Sequence, residues 1–357
     1  MSNNSFCSHD QQKSFSTPKT KFTPEVVEGT FQTELLININ VVDQFSREEE
    51  LLPAVTKCRK IKFTEMGDPS SDMMNHEQRY LFGMTGYLHI EGAVTGEKLK
   101  SVQEAAERYI YCHPNERPPG FEPRGQELFV EELGNRPLIR YQHGFAFDRC
   151  LEELTVNPSI WPILKELTYD MPRLVSGTLS YEQYDPDRPP VEKNPAGLHC
   201  AREGRYWYTR YEVKNGRIFC NDLVFFFYLT DVNPGDGGLI VIPGSHKSEF
   251  DRPEELLKPG PDGIDPESDP VFTNLTPKAG DFLCISELLT HGVLRWKPKD
   301  RSRQFLILRY RPQYEGKVSL PQVIIDRLTP EIQELVSAAS YGHTKEIVKQ
   351  DAITLNY

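Results

Sequence analysis

The most constraining feature of this sequence is a series of short apolar segments in its second half, separated by turn-forming stretches. These segments, which we expect to be β-strands, are residues 177–184, 223–230, 238–242, 281–285 and 304–310. Two segments with helical spacing, 97–109 and 158–168, come before most of them. Helices followed by many short strands predict an α+β fold that is mainly β. The specific architecture we expect is a double-stranded β-helix (a jelly roll, cupin-like) with helices packed on one sheet.

Composition along the chain predicts one folded domain with extensions. Residues 1–28 are rich in Ser, Thr, Lys and Gln and are expected to be a disordered tail. Residues 29–75 form an N-terminal extension whose role the sequence does not reveal. The jelly-roll domain is predicted to span residues 76–340, and residues 341–357 to form a C-terminal tail.

Charge and cysteine content limit the classes of partner and compartment. The formal net charge of −11 argues against nucleic acid or an anionic membrane surface as the main partner. No segment approaches the roughly 20 consecutive apolar residues of a membrane helix, and the first twenty residues lack the apolar core of a signal peptide. The 7 cysteines have no regular spacing, which is typical of reduced thiols. We therefore expect a cytoplasmic protein.

Two histidines stand in distinctive surroundings. His199 lies in Gly197-Leu198-His199-Cys200-Ala201, and His291 lies in Thr290-His291-Gly292, shortly before the strand predicted at 304–310. A Gly86-Tyr87-Leu88 strand followed by a helix opens the same region. Over about residues 78–340, this ordered series resembles the phytanoyl-CoA dioxygenase family of iron(II)- and 2-oxoglutarate-dependent oxygenases.

The resemblance implies a set of cofactors and ligands. Iron(II) would be held by His199 and His291, with open positions for 2-oxoglutarate and O2. It implies a dioxygenase that hydroxylates or otherwise oxidises an aliphatic carbon of a small organic metabolite. Nothing in the sequence selects the substrate.

The resemblance also implies an anchor for 2-oxoglutarate. The far carboxylate of this co-substrate is usually held by an arginine, whose planar fork donates two hydrogen bonds. Arg303 fits this role best, and Arg301, on the same face of the strand, is the alternative. Tyr181 and Gln183 share one face of the strand before His199 and are further candidates for contact with the 2-oxo acid.

The chain departs from the family at Ala201, where a carboxylate ligand is usual. Three outcomes remain open. Another carboxylate binds the iron, with Glu287 as first candidate and Glu203 as second; or a halide fills the gap, as in iron/2-oxoglutarate halogenases; or the site is dead and the protein is a non-catalytic binding module. We favour Glu287, because it follows the apolar run 282–285, where an unpaired carboxylate is costly to bury.

Overall fold

The structure is a computed structural model. It describes residues 61–62, 73–121, 138–186, 196–203, 208–250, 252–253, 269–315 and 320–339. The tail predicted at 1–28, the C-terminal tail predicted at 341–357 and most of the extension at 29–75 lie outside the described residues.

Six α-helices occur in the described part of the chain. They are α1 (His76–Thr85), α2 (Gly96–Ile110), α3 (Arg149–Glu152), α4 (Trp161–Leu167), α5 (Gln322–Ile325) and α6 (Pro330–Val336). The sequence analysis predicted α2 and α4 but not α1. A capping box starts α1, in which Asn75 accepts from the backbone N–H of Gln78 and the Gln78 side chain accepts from the backbone N–H of Asn75. This helix ends at Gly86, which has a φ of 83°.

Most strands join one seven-stranded sheet. The described strands are β1 (Ile61–Lys62), β2 (Tyr87–Glu91), β3 (Leu138–Tyr141), β4 (Pro172–Glu182), β5 (Tyr211–Lys214), β6 (Arg217–Cys220), β7 (Leu223–Tyr228), β8 (Gly238–Val241), β9 (Thr273–Asn274), β10 (Phe282–Ser286), β11 (His291–Leu294) and β12 (Arg303–Pro312). The large sheet has the order β1-β2-β10-β7-β12-β4-β3, and the small sheet has the order β11-β8-β9. Strands β5 and β6 form a separate hairpin.

The large sheet is buried on both faces. On one face, Phe225, Phe227 and Leu306 pack with residues of α2, α4 and α6 in the main core. On the other face, Phe226 and Phe305 pack with residues of the small sheet in a second core, which we call the barrel interior. Because successive strand residues point to opposite faces, a strand buried on both sides needs a continuous apolar run. This explains the unbroken run of buried residues in β7.

The observed architecture confirms the predicted fold class. Two sheets face each other, and the helices cover the outer face of the larger sheet. Strand boundaries differ by a few residues, since β4 begins at Pro172 and β12 ends at Pro312. None of the helices in the described part of the chain has the length and apolar character needed to span a bilayer.

Candidate metal and co-substrate site

The structure brings His199 and His291 together through their backbones. The two residues form an antiparallel bridge, with N–O distances of 2.9 Å from His199 to His291 and 3.0 Å in the reverse direction. Their ring centroids lie 4.2 Å apart, with an angle of 53° between the planes. His291 opens β11 and pairs with Val241 of β8, so the small sheet fixes its position. Two residues far apart in sequence therefore present their side chains side by side.

Backbone carbonyls orient both imidazole rings. Nδ1 of His199 lies 2.7 Å from the carbonyl oxygen of Gly197, and Nδ1 of His291 lies 2.7 Å from that of Leu289. A carbonyl can only accept, so each Nδ1 carries the proton. In the neutral ring, the lone pair then sits on Nε2, the nitrogen left to bind a metal. A hydrogen bond that fixes the tautomer in this way is the usual support for a histidine metal ligand.

The two rings differ in exposure. His199 is exposed to solvent, whereas His291 is only 6% exposed. Burial lowers the pKa of His291 to about 3, and the electrostatic effect of the neighbouring His199 ring acts in the same direction. His291 is therefore neutral at physiological pH, the protonation state that metal binding requires.

The residues predicted to supply a third ligand are engaged elsewhere. Glu287 is brought close to the chain segment of His199, since Ala201 donates its backbone N–H to the Glu287 carbonyl at 2.6 Å. Its carboxylate, however, accepts a hydrogen bond from Nη2 of Arg309 at 2.6 Å. The second candidate, Glu203, pairs with Arg252 at 2.8 Å. Within the described ranges, no cluster of three or more His, Cys, Asp or Glu side chains is arranged to hold a metal. A role for Glu287 as a ligand stays a prediction.

Glu287 belongs to a charged network that the sequence analysis did not find. Nη1 of Arg309 donates to Asp222 at 3.0 Å, and Asp222 also accepts from Nη2 of Arg311 at 2.6 Å. Asp222 precedes β7, Glu287 follows β10, and both arginines lie on β12. The sequence places charged residues at the ends of apolar strands, which hints at such a network. It does not reveal which strand ends lie next to each other in the fold.

Arg303 lies at the other end of β12, inside the barrel. It is 1% exposed, and its guanidinium carbon lies 4.8 Å from the centre of the Phe305 ring. A Cβ added to Gly238 of β8 would approach Nη1 of Arg303 to 2.9 Å, so the absence of a side chain there makes room for the guanidinium. Nη2 of Arg303 lies 2.5 Å from Oε2 of Glu182, its register partner on β4. The predicted anchor residue is thus buried and already faces an acid.

The other predicted anchor residues lie elsewhere. Arg301 pairs with Asp236 and stacks over Trp296, with its guanidinium carbon 5.5 Å from the ring centre. Tyr181 belongs to the main core under the helices, and its hydroxyl lies 3.4 Å from Oε1 of Gln183. This placement is at odds with the predicted contact with the 2-oxo acid, because strand alternation turns Glu182, and not its neighbours, into the barrel.

Sequence comparison decides the family. The profile of the phytanoyl-CoA dioxygenase family matches residues 82–296, more than half of the chain. The chain belongs to the phytanoyl-CoA dioxygenase family. This membership confirms the predicted family and the predicted enzyme class, a 2-oxoglutarate-dependent oxygenase. No curated protein matches the sequence.

Several solved structures are similar to this family member. HygX from Streptomyces hygroscopicus, with nickel and 2-oxoglutarate bound, matches at a TM-score of 0.50 and 22% identity, over 67% of this chain and 88% of HygX. The non-heme alpha ketoglutarate dependent epimerase SnoN from nogalamycin biosynthesis matches at 0.47 and 14%, over 69% of this chain and 85% of SnoN. The carbocyclase SnoK from the same biosynthesis matches at 0.47 and 17%, over 74% of this chain and 95% of SnoK. At these identities, the likeness to HygX concerns the fold.

Proposed function

We propose that this protein is an iron(II)- and 2-oxoglutarate-dependent dioxygenase that oxidises an aliphatic carbon of a small organic molecule. One observation carries the proposal: His199 and His291 are locked side by side, each with Nδ1 on a backbone carbonyl and Nε2 left for a metal. Iron with 2-oxoglutarate and O2, when bound, supplies the oxidising power for an unactivated carbon. The protein's part is to hold the reactants in place and exclude water.

The residues of the barrel fit this pair of cofactors. The two imidazoles are donors suited to iron(II). At the other end of the barrel, Arg303 offers a guanidinium whose buried Nε has no hydrogen-bond partner among the described residues. A carboxylate is the group that such a donor accommodates. HygX, which has the same fold, carries nickel and 2-oxoglutarate in its structure.

Anaerobic spectroscopy tests the proposal. We expect the purified protein with iron(II) and 2-oxoglutarate to show the weak visible charge-transfer band of an iron-chelated 2-oxo acid. His291→Ala should abolish the band, because one of the two imidazole donors is lost. His76→Ala, at an exposed histidine on α1, is the matched control and should keep it. A wild-type protein with neither bound metal nor the band would leave the remaining alternative, a non-catalytic binding module.

A second candidate function, halogenation by the same cofactors, is favoured by the surroundings of Ala201. Ala201 offers only a methyl group where a carboxylate ligand is usual, and Glu287 is paired with Arg309. After burial and His199, the positive charges of Arg309 and Arg252 also lower the pKa of His291. Both arginines are paired with carboxylates, so the observation that favours this candidate is the methyl group of Ala201.

Chloride addition separates the two candidates. If a halide completes the iron coordination, chloride should tighten 2-oxoglutarate chelation and shift the spectrum, and Ala201→Asp should abolish this response. If Glu287 is the third ligand, as we favoured from sequence, chloride should have little effect. In that case Glu287→Ala should remove turnover and make the spectrum chloride-sensitive. A wild-type spectrum that ignores chloride, together with an active Glu287→Ala variant, would contradict both versions of the third ligand.

We also propose a cytoplasmic location. The acidic net charge and the free thiols support it. The free cysteines among the described residues are Cys112, Cys150, Cys200, Cys220 and Cys284. Fractionation of cells that express the protein tests this point, and recovery from a membrane or secreted fraction would contradict it.

A further inference from the structure

The hairpin of β5 and β6 leaves one strand edge open. Strand β5 pairs with β6, and the two strands form a sheet of their own. Within the described ranges, no other strand hydrogen-bonds to the outer edge of β5. Glu212, Val213 and Lys214 on this strand are exposed to solvent. An exposed strand edge is a ready surface for pairing with a further strand.

The turn of the hairpin fixes which backbone groups point outward. Asn215 and Gly216 have φ angles of 52° and 76°, which are typical of the type I′ turn that joins two strands through two residues. Lys214 and Arg217 flank this turn and pair with each other, so they form a hydrogen-bonded pair. Because hydrogen-bonded and non-hydrogen-bonded pairs alternate along an antiparallel ladder, Val213 directs its N–H and C=O away from β6. The open edge therefore presents one donor and one acceptor at Val213.

The charges on this edge have no opposite charge across their own hairpin. Lys214 stands opposite Arg217, which is also a cation, and Glu212 stands opposite Phe219. Arg217 has a partner of its own, since its Nη1 lies 3.1 Å from Oδ2 of Asp170. In the part of the chain that the structure describes, neither Glu212 nor Lys214 takes part in an ion pair.

A second copy of β5 would supply what both charges lack. If two β5 strands pair antiparallel about a two-fold axis at Val213, the two Val213 backbones exchange two hydrogen bonds. Glu212 of each copy then lies opposite the partner's Lys214, and such directly opposed charges stabilise an antiparallel pair. An axis at Glu212 or Lys214 would instead oppose like charges, and the backbone groups of these two residues are turned toward β6. The edge is thus self-complementary in one register, as a two-fold interface requires.

An apolar groove lies beside the open edge. Tyr80 and Met84 of α1 line it together with Val213. These three side chains are 69%, 49% and 64% exposed, and neighbouring exposed apolar side chains are typical of an interaction surface. Since Val213 is both part of the groove and the centre of the self-complementary register, pairing of the two edges brings the grooves of both copies together around the axis.

Ring contacts on both faces hold the hairpin in place. On the face of the groove, the Tyr211 ring meets the His246 ring edge-on, with centroids 4.7 Å apart and 85° between the planes. On the opposite face, Phe219 stacks on Tyr169 at 5.1 Å. Because the edge is already ordered in one copy, little conformational entropy is lost when a second copy pairs with it.

We propose that the protein forms a two-fold dimer through antiparallel pairing of the open β5 edges. The pairing is centred on Val213, with Glu212 of each copy opposite the partner's Lys214. The dimer interface contains neither His199 nor His291, so this inference stands apart from the proposed activity.

Charge reversal tests the dimer, with sedimentation equilibrium of the full-length protein as the measurement. Wild-type protein should be a dimer that dissociates on dilution. Glu212→Lys creates two Lys–Lys pairs and Lys214→Glu creates two Glu–Glu pairs, so each should raise the dissociation constant at least about tenfold. The double variant exchanges the two charges, restores opposite pairs and should recover most of the loss. Lys100→Glu, at an exposed position on α2, is the matched control and should behave as wild type.

Mixing the two single variants gives the sharpest result. In a mixed dimer, the two lysines of the Glu212→Lys chain lie opposite the two glutamates of the Lys214→Glu chain. The mixture should therefore sediment as a dimer at concentrations where each variant alone is a monomer.

Each outcome decides the question. A wild-type protein that stays monomeric at all concentrations overturns the proposal. A wild-type dimer that resists both single reversals, or single variants that neither the double variant nor mixing rescues, overturns it as well. If a reversal variant fails to fold, hydrogen exchange of wild type decides instead. The Val213 amide should exchange more slowly as the protein concentration rises, and exchange independent of concentration contradicts the dimer.

Discussion

Strand β12 carries two inward-facing arginines with opposite surroundings. Arg303, at its start, is 1% exposed and faces one acid, Glu182. Arg309, six residues and about 20 Å further along the strand, is 29% exposed and pairs with both Asp222 and Glu287. Position on the strand alone would make the two residues equivalent. The difference in burial encloses Arg303 fully, whereas the guanidinium of Arg309 is partly open to solvent although both of its acidic partners are buried.

The comparison indicates that the Arg303–Glu182 pair should contribute more to stability than the pairs of Arg309. In the closed end, losing one partner leaves a buried charge with no water to solvate it. At the other end, Arg309 is partly exposed to water and keeps a second acidic partner if one of the two is lost. The following three predictions test this contrast, from the largest effect to the smallest.

The largest effect is expected on stability at the closed end. Arg303→Leu should lower the free energy of unfolding by about 3–5 kcal/mol, because the buried carboxylate of Glu182 loses its cationic partner on β12. The double variant Arg303→Leu with Glu182→Leu removes both charges and should recover most of that loss. Urea denaturation of both proteins and of wild type measures the difference. If the double variant is no more stable than the single variant, the carboxylate of Glu182 does not destabilise the Arg303→Leu protein. The expected difference between the two ends of β12 would then be wrong.

Co-substrate binding should separate the arginines by a smaller amount. Arg303→Leu should weaken 2-oxoglutarate binding by about 1.5–3 kcal/mol, the range for a hydrogen bond to a charged group, and leave metal binding nearly intact. Arg309→Leu, which removes the same charge from the same face, is the control and should change the affinity little. Calorimetry with manganese-loaded protein gives both values. If Arg301→Leu has the large effect instead, the anchor of 2-oxoglutarate is Arg301 and not Arg303.

The smallest effect is expected at the open end. Glu287→Gln should change the free energy of unfolding by no more than about 1 kcal/mol, because Arg309 is partly exposed to solvent and the amide oxygen of glutamine can still accept its hydrogen bond. Arg309 also keeps its second partner, Asp222. Chemical denaturation without metal isolates this effect from any role in metal binding. A loss as large as that of Arg303→Leu would show that the two ends of the barrel are equally closed.

Much of the fold was predictable because it follows from local patterns. The continuous apolar run of β7 and the turns around it reflect burial on both faces of one sheet. Helix α1 was missed although its start carries a capping box, Asn75 with Gln78, because its apolar residues are few. The meeting of His199 with His291 required the resemblance to a family. It depends on a pairing between distant segments, which periodicity does not encode.

The charge partners of the site were beyond the reach of sequence reasoning for a physical reason. We judged Tyr181 and Gln183 to face the co-substrate because they share one face of a strand, and that much was correct. Which face points into the barrel depends on how β4 pairs with β12, and this pairing puts Glu182 inside. In the same way, Glu287 was recognised as a carboxylate in need of a partner. That its partner is Arg309 depends on strands β10 and β12 meeting across β7.

The reciprocal hydrogen bonds between His199 and His291 have a consequence for how the metal is acquired. Their main chains are tied to each other before any ion arrives, so the conformational entropy of bringing the two donors together is lost during folding and not during coordination. Such a site should capture its ion quickly and with little rearrangement of the backbone. The two bonded amides should also exchange their hydrogens with solvent at a rate set by the opening of that bridge, and a bound ion, by holding both side chains, should slow the opening.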